Sequence, residues 1–330
     1  MHLPAFMRQA LGLGLLVTLV VLALSACAGG GSAQEEARHN GGIAFMQQDL
    51  DGFWQTWVAN KDLSNRTKLT NKSADSGWAV WKPGGAKLAF DSDRADPDPT
   101  DSEAISDIFT MKPDGSGVVK LTASEGLSSD AGWSPDGSRI AFASDHANRP
   151  GRQEINVMDA DGSDVRRVTT LPAEVELDLA PRFSPDGTKL VFTRYITDPE
   201  RSALFTVRID GSGLRQLTPW GNGAEDADWS PDGTKIVFEA YPGENSRGEV
   251  FTIDADGQQL TNLTDNHRSG GGSSDPLWSP DGTKILFLSE HAFSGESGIG
   301  LATMNPDGTD RHFISSEPQE MHQPDWESVP

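Results

Sequence analysis

Acidic, basic and tyrosine side chains recur at one position of this 330-residue sequence, three and four residues after each of six phenylalanines. The only two tyrosines of the chain are among them. The candidate ligand-binding residues at this position are Asp93, Arg94, Asp145, His146, Tyr195, Tyr241, Glu290 and His291. Carboxylate, guanidinium, imidazole and phenol groups that meet at one place bind polar ligands through directed hydrogen bonds. The pattern predicts a polar ligand site, and solvated loops on an acidic protein are the alternative interpretation.

A second series lies three residues before each of six aromatic residues that recur along the chain. Its members are Trp78, Asp130, Ala180, Asp226, Asp275 and Gln323. Carboxylate oxygens are ligands that Ca²⁺ prefers, so the three aspartates are candidate ligands of a divalent cation in a central channel. His322 stands beside this series and is a further candidate for binding a polar ligand. Aspartates that cap turns explain the series without a metal, and we expect no other cofactor.

Composition excludes several classes of function. Lys and Arg number 27 against 49 Asp and Glu, which gives a net charge of −22. Nucleic-acid affinity comes mainly from Lys and Arg that neutralise phosphates, so a nucleic-acid partner is excluded. Cys27 is the only cysteine, which leaves no internal disulfide and no cysteine-based zinc or iron–sulfur site. The sequence also lacks the Gly-x-Ser-x-Gly motif that carries the nucleophile of α/β-hydrolases.

The chain after residue 42 consists of one segment repeated six times. Four close copies of an aromatic-Ser-Pro-Asp-Gly motif occur at 133–137, 183–187, 229–233 and 278–282. A degenerate copy occurs at 81–85. Successive motif aromatics are 46 to 52 residues apart. We expect these six side chains to pack between neighbouring repeats: Trp81, Trp133, Phe183, Trp229, Trp278 and Trp326.

Each repeat predicts four short antiparallel strands. An apolar run that ends in phenylalanine follows the Ser-Pro-Asp-Gly turn, and an alternating strand, an Asp-Gly turn and a fourth strand come next. Asp-Gly tolerates the positive φ of tight hairpins, and no helical period is sustained in residues 43–330. Repeats of this length with four strands each predict an all-β fold, a six-bladed β-propeller.

The strand count predicts how the ring closes. The innermost strand type occurs six times, the last at residues 324–326. The other three types have extra copies near the N-terminus, at residues 43–45, 54–59 and 68–70. The final blade should therefore combine one C-terminal strand with three N-terminal strands, which removes the open edge of a linear array.

Strand direction divides the connections between two faces. The Ser-Pro-Asp-Gly and Asp-Gly turns share one face, which we call the short-turn face. The opposite face, the long-loop face, holds the longer connections, predicted at residues 91–107, 143–154, 193–203, 239–249 and 288–299. Binding residues accumulate in variable loops on a rigid scaffold, so we expect the long-loop face to be the functional one.

The beginning of the chain has the features of an export signal. The apolar run over residues 11–24 is about 21 Å long as a helix, shorter than the roughly 30 Å of bilayer hydrocarbon and typical of a signal-peptide core. Leu-Ser-Ala-Cys at 24–27 resembles a bacterial lipobox. We predict a signal peptide at 1–26, a lipidated Cys27 with a flexible tether to residue 42, and a propeller over 43–330. An ordinary signal peptide with an incidental cysteine is the alternative.

The string Trp-Ser-Pro-Asp-Gly-x-x-Ile-x-Phe, followed by Asp-x-Asp-Gly, resembles the repeat of TolB-type propellers over about residues 43–327. The resemblance implies a six-bladed propeller in the bacterial envelope. In TolB the propeller follows an N-terminal α/β domain and binds peptidoglycan-associated lipoprotein. About fifteen tether residues precede the first strand here, so we expect a propeller without that domain. A Tol–Pal role stays open.

Two classes of function are compatible with these features. The first is a monomeric, non-enzymatic scaffold, a lipoprotein anchored in the cell envelope, periplasmic or on the outer surface, that binds an envelope protein or a glycan. The second is a metal-assisted carbohydrate-active enzyme, because oligogalacturonate lyases use a related propeller. Such an enzyme needs clustered histidines and a positive pocket, for which the donors are His146, His291, His322, Arg94 and Arg194. The surrounding acids would oppose a polyanion, so we favour the first class and assign no catalytic residue.

Overall fold

A computed structural model of the chain describes residues 42–71, 73–98, 105–122, 126–145, 151–197, 200–221, 223–243, 246–265, 271–290, 300–314 and 321–328. Within these ranges the chain forms 24 β-strands in six sheets of four. No helix in the described part of the chain is long and apolar enough to cross a membrane. The predicted signal peptide, Cys27 and the tether up to residue 41 lie outside the described residues, as do His146 and His291.

Each sheet is one blade, and its strands run antiparallel to their neighbours. The innermost strands are β4 (Ser76–Trp81), β8 (Ser128–Trp133), β12 (Leu177–Phe183), β16 (Glu225–Trp229), β20 (Ser273–Trp278) and β24 (His322–Trp326). The second strands are β5 (Leu88–Ser92), β9 (Arg139–Ser144), β13 (Lys189–Thr197), β17 (Lys235–Ala240), β21 (Ile285–Ser289) and β1 (Ile43–Gln48). Both lists run from blade 1, which contains β4, to blade 6, which contains β24.

The outer half of each blade is shorter than the inner half. The third strands are β6 (Asp107–Met111), β10 (Glu154–Asp159), β14 (Glu200–Arg208), β18 (Glu249–Asp254), β22 (Gly300–Met304) and β2 (Trp54–Ala59). The outermost strands are β7 (Val119–Lys120), β11 (Arg166–Arg167), β15 (Arg215–Gln216), β19 (Thr261–Asn262), β23 (His312–Phe313) and β3 (Thr67–Lys68). Two-residue outer strands leave little open edge for pairing with another chain.

The innermost strands contact one another around a closed ring, from β4 through β8, β12, β16 and β20 to β24 and back to β4. Blade 6 has the order β24-β1-β2-β3, with Ile43 opposite Trp326. The predicted all-β, six-bladed propeller is therefore confirmed, and so is its closure by one C-terminal and three N-terminal strands.

Apolar side chains pack between the blades. Trp133 at the end of β8 joins a buried cluster with Val80 and Ile108 of blade 1 and Phe142 of its own blade. Its indole N–H donates to the Val80 carbonyl at 3.3 Å. The predicted packing of the motif aromatics is thus confirmed, although Trp326 at the closing seam is only half-buried.

One predicted long connection is wrong. Residues 193–203 were expected to form a loop, but β13 continues to Thr197 and β14 begins at Glu200. Tyr195 and Ile196 pair with Ser202 and Arg201, so the hairpin extends to the long-loop face. Strand propensity of Tyr, Ile and Thr explains the extension, which the Asp-Pro-Glu-Arg sequence directly after them conceals.

Candidate functional site

The aspartates of the short-turn face are satisfied by their own turns. Ser134 Oγ donates to Asp136 Oδ1 at 2.6 Å, and the Ser138 N–H donates to the same oxygen at 3.0 Å. These hydrogen bonds lower the pKa of Asp136 to about 2. The same bonds surround the equivalent residues Asp186, Asp232 and Asp281. Their conformation requires no ligand.

Every innermost strand carries a β-bulge near the long-loop face. Its central residue is left-handed in all six blades, with φ between 48° and 59°. These residues, which we call the mouth ring, are Trp78, Asp130, Ala180, Asp226, Asp275 and Gln323. Aspartate adopts this conformation more readily than most residues, so the bulge alone favours aspartates here. The predicted series is thus one structural level, at the mouth of the channel.

The mouth ring also links neighbouring blades. Asp130 Oδ2 accepts the N–H of Ala180 at 3.4 Å, and Asp275 Oδ2 accepts the N–H of Gln323 at 3.4 Å. Burial raises the pKa of both carboxyls, and these hydrogen bonds oppose the rise. A positive charge on His322 also opposes the rise at Asp275. Two of the ring aspartates therefore have a structural role as well as a charge.

One group of acidic side chains lies on blades 4 and 5. Glu225 of β16 lies directly opposite Glu239 of β17, and Asp226 follows Glu225 in the ring. Burial raises the pKa of Glu239 well above its ordinary value, and the charges of Asp275 and Asp226 raise it further. Burial likewise raises the pKa of Asp226, with repulsion from Asp275 next. Like charges this close destabilise the ionised site unless a cation neutralises them.

The two tyrosines lie against these acids. The Tyr195 hydroxyl bonds to Glu225, and the Tyr241 hydroxyl bonds to Glu239. Burial raises the pKa of both phenols, so both act as hydrogen-bond donors. A Cβ on Gly223 would come within 2.8 Å of the Tyr241 ring, so glycine is needed for this approach. We call this group the mouth cluster: Tyr195, Glu225, Asp226, Glu239, Tyr241 and Asp275.

Asp93 and Arg94 lie on blade 1 and not in the mouth cluster. Arg94 Nη2 donates to Ser76 Oγ at 2.8 Å, and its guanidinium stacks 4.8 Å from the Phe90 ring centroid. Burial, followed by the charge of Asp75, raises the pKa of Asp93 to about 6. The guanidinium of Arg94 therefore contacts residues of its own blade.

The remaining predicted residues are dispersed around the mouth. Asp145 Oδ2 accepts the Gly151 N–H at 2.9 Å, while its Oδ1 is buried without a partner in the ranges that the structure describes. Glu290 forms an exposed ion pair with Arg247 at 2.5 Å. His322 packs edge-on against Trp54, with ring centroids 5.3 Å apart. Together with Asp93 and Arg94, these residues surround the channel mouth without converging on one point.

Sequence reasoning missed a second level of charge deeper in the channel. Asp228 Oδ2 accepts the Trp278 N–H at 2.8 Å, and Asp325 Oδ2 accepts the Trp81 N–H at 2.6 Å. Burial raises their pKa values to about 6 and about 7. The nearby Arg182 moderates both shifts. The available signal was their shared position, one residue before a motif aromatic.

The described residues contain no group of three His, Cys, Asp or Glu side chains that could hold a metal ion. Arg194, considered as a donor to an anionic substrate, is instead buried in a bidentate pair with Asp178, at 2.7 and 2.8 Å. Asp130, Asp226 and Asp275 are spaced around the ring in three blades. A channel calcium ion bound by these aspartates stays a prediction.

Fold and site together define a six-bladed β-propeller that carries mutually repelling acidic groups at one mouth of the channel. Within that class, residues 173–326 match the family model PD40, described as the TolB beta propeller domain. The chain is a six-bladed β-propeller whose residues 173–326 are similar to the TolB propeller domain.

Two curated proteins illustrate the similarity. The uncharacterized protein Atu1656 of Agrobacterium fabrum is 31% identical over 131 residues, 40% of this chain and 40% of that protein. A protein TolB homolog of Chlorobium luteolum is 29% identical over 33% of this chain and 31% of its own length. The aligned stretches therefore span less than half of these relatives.

Solved structures extend the similarity to most of the chain. TolB from Acinetobacter baumannii superposes with a TM-score of 0.66 and 21% identity, covering 88% of this chain and 67% of that one. An oligogalacturonate lyase in complex with manganese gives 0.55 and 15% identity, covering 83% and 73%. At these identities, both likenesses show the fold alone.

Proposed function

We propose that this protein is a non-enzymatic binding module of the cell envelope that presents its long-loop face to a protein partner. One observation carries the proposal: the mouth cluster holds carboxyls that repel one another, whereas the short-turn aspartates are satisfied by their turns. Groups kept at a cost to stability are typical of binding sites. Similarity to TolB propellers supports the same class of function.

The chemistry of the mouth argues against the lyase alternative. An acidic sugar polymer would meet Glu225, Asp226, Glu239 and Asp275 at the channel entrance. The chain as a whole carries a net charge of −22. Both features repel a polyanionic substrate. A neutral glycan remains the second ligand class, and the same face would receive it.

We also propose that Cys27 is lipidated and that residues 27–42 tether the propeller, residues 43–330, to a membrane. The lipobox-like residues 24–27 support this arrangement. Replacing the cysteine by alanine should move the protein from the detergent phase to the aqueous phase in Triton X-114 partitioning. The propeller itself should keep its melting temperature, since its described strands begin at Ile43. Aqueous partitioning of the unchanged protein would contradict the anchor.

Photo-cross-linking tests the binding face in intact envelopes. The full chain carries p-benzoylphenylalanine in place of Tyr241 at the channel mouth, or in place of Asp210 in a turn of the opposite face. We expect one discrete cross-linked protein from the Tyr241 position and none from the Asp210 position. Capture at neither position, or only at Asp210, would contradict the proposal.

A further inference from the structure

We infer that the mouth cluster binds a guanidinium or ammonium group, presented as an arginine or lysine side chain by the protein partner. This inference rests on the proposed function and names the chemistry that the partner must carry. It concerns blades 3 to 5, where Tyr195, Glu225, Asp226, Glu239 and Asp275 lie together.

Few cations among the described residues offset the charge at this place: His322 acts on Asp275, and Arg182 acts on Asp226. Among the described residues, no ion pair joins a Lys or Arg to Asp226, Glu239 or Asp275. Glu239 is 2% exposed, so solvent does little to stabilise its ionised form. Arg182 is the cation whose charge reaches Asp226, and it lies deeper in the channel with Asp228 and Asp325. A cation from outside would relieve the repulsion.

Unpartnered polar side chains point to the same place. Thr193 is 1% exposed, and its hydroxyl has no hydrogen-bond partner among the described residues. It follows Phe192 as Glu239 follows Phe238, and Glu239 faces the next blade, where Asp275 lies. By the same register, Thr193 faces the blade of Asp226.

Gln323 supplies a second such group at the ring. Its Oε1 is buried and finds no partner in the described part of the chain, while its backbone N–H donates to Asp275. Buried polar atoms almost always have a hydrogen-bond partner in native proteins. A ligand with several N–H donors would satisfy both this oxygen and the neighbouring carboxylates.

The spacing favours an organic cation over a metal ion. The carboxyls are close enough for their charges to raise one another's pKa, but no three described ligands are arranged to hold a metal. A guanidinium presents five N–H donors over a planar fork and can reach carboxylates that one small ion cannot bridge. Glu225 and Asp226 are partly exposed, so a side chain from a partner can reach them.

The test uses two peptides that differ by one charge. Acetyl-Gly-Arg-Gly-amide is titrated by calorimetry into the chain without its predicted signal peptide. Acetyl-Gly-citrulline-Gly-amide is the neutral control of the same shape. Free arginine amide is a third probe that separates a small-molecule site from a peptide site. We expect the arginine peptide to bind at least about tenfold more tightly than the citrulline peptide, because charge-assisted hydrogen bonds are lost in the latter. Free arginine amide should bind more weakly than the peptide.

Two substitutions locate the binding. Asp226→Asn and Asp275→Asn remove one charge each, keep an acceptor oxygen and tolerate the left-handed backbone. Each should weaken arginine-peptide binding about tenfold. Asp210→Asn on the short-turn face changes the net charge equally and should have no effect. Melting curves of the three variants are the control for correct folding.

The outcomes separate this inference from the proposed function. Equal binding of both peptides, no binding, or full binding by Asp226→Asn and Asp275→Asn would overturn the cation site. If the Tyr241 cross-link still forms in those two variants, the binding face stands and the cation inference falls. In another outcome, the chain with both aspartates and the cross-linker at position 241 gives no cross-link while the unsubstituted chain binds the arginine peptide. That result would support the cation site and contradict the protein partner. Tighter binding of free arginine amide than of the peptide also removes the protein partner.

Discussion

At the residue scale, the most deeply buried ion pair among the described residues joins Arg194 and Asp178. Their side chains are 3% and 0% exposed, and they lie directly opposite each other on β13 and β12. Arg194→Met leaves the Asp178 carboxylate buried without its partner. Loss of one member of a buried pair costs about 3–5 kcal/mol, which urea unfolding would measure as a lower midpoint.

An exposed pair provides the control for this substitution. Arg166 lies 3.4 Å from Asp164, and each side chain is 62% exposed. Exposed pairs contribute about 0–1 kcal/mol, so Arg166→Met should leave the urea midpoint almost unchanged. Equal destabilisation by Arg194→Met and Arg166→Met would show that the buried pair has no special role.

The pH dependence of stability should reveal the buried carboxyl of Asp325. Its pKa is raised from 3.8 in the unfolded chain to about 7, first of all by burial. Between these values the folded chain holds a proton that the unfolded chain has released. The stabilising contribution is complete below 3.8 and is lost as the pH rises through about 7. We therefore expect a higher urea midpoint at pH 5 than at pH 8.

Asp325→Asn tests the origin of this difference, because it keeps an acceptor for the Trp81 N–H and cannot titrate. The gap between the two midpoints should narrow, while Asp228, with a pKa of about 6, preserves part of it. Asp310→Asn is the control, since the pKa of Asp310 is lowered and lies outside this range. An unchanged gap in Asp325→Asn would assign the dependence to other groups.

Residue spacing predicted where the site residues lie along the channel, but it did not predict which side chains contact one another. The two tyrosines and the ring aspartates lie where the repeat places them, at the channel mouth. The acidic pair of Glu225 and Glu239 was missed because it depends on cross-strand register. Ala180 and Trp78 also take the left-handed bulge against their own preference, since tertiary packing overrides local propensity.

At the element scale, the seam of blade 6 depends on one side chain beyond β24. Glu327 Oε2 accepts the buried Gly42 N–H at 2.8 Å, and its own N–H donates to the Gly42 carbonyl at 2.9 Å. A Cβ on Gly85 would collide with Oε1 of Glu327, so a glycine makes room for the carboxylate. The carboxylate therefore joins the first and last described strands.

Removing this acceptor should loosen the seam. Glu327→Ala leaves the Gly42 N–H buried without a partner, at a cost of about 1–3 kcal/mol that a lower melting temperature would report. Glu327→Gln keeps an acceptor oxygen in the same place and should recover most of the loss. Hydrogen exchange at β1 should accelerate in the alanine variant. Equal melting temperatures for both variants would contradict the seam contact.

The sequence predicts blades more reliably than the connections between their strands. Counting strand types was enough to predict the closure, because β24 has no partner except β1. The β13–β14 hairpin could not be predicted in the same way. Its extension to Thr197 and Glu200 depends on pairing between two stretches that the sequence presents as polar. The length of a connection depends on pairing between its two strands, whereas the repeat is recognised from the residues of its turns.

At the scale of the whole molecule, the net charge of −22 should govern stability at low salt. Self-repulsion is screened as the Debye length falls from about 30 Å at 0.01 M to about 8 Å at 0.15 M. Raising NaCl between these concentrations should raise the melting temperature. CaCl₂ at equal ionic strength separates screening from a bound ion, because screening alone gives the same rise. A larger rise in CaCl₂ that Asp226→Asn abolishes would establish the channel calcium site instead.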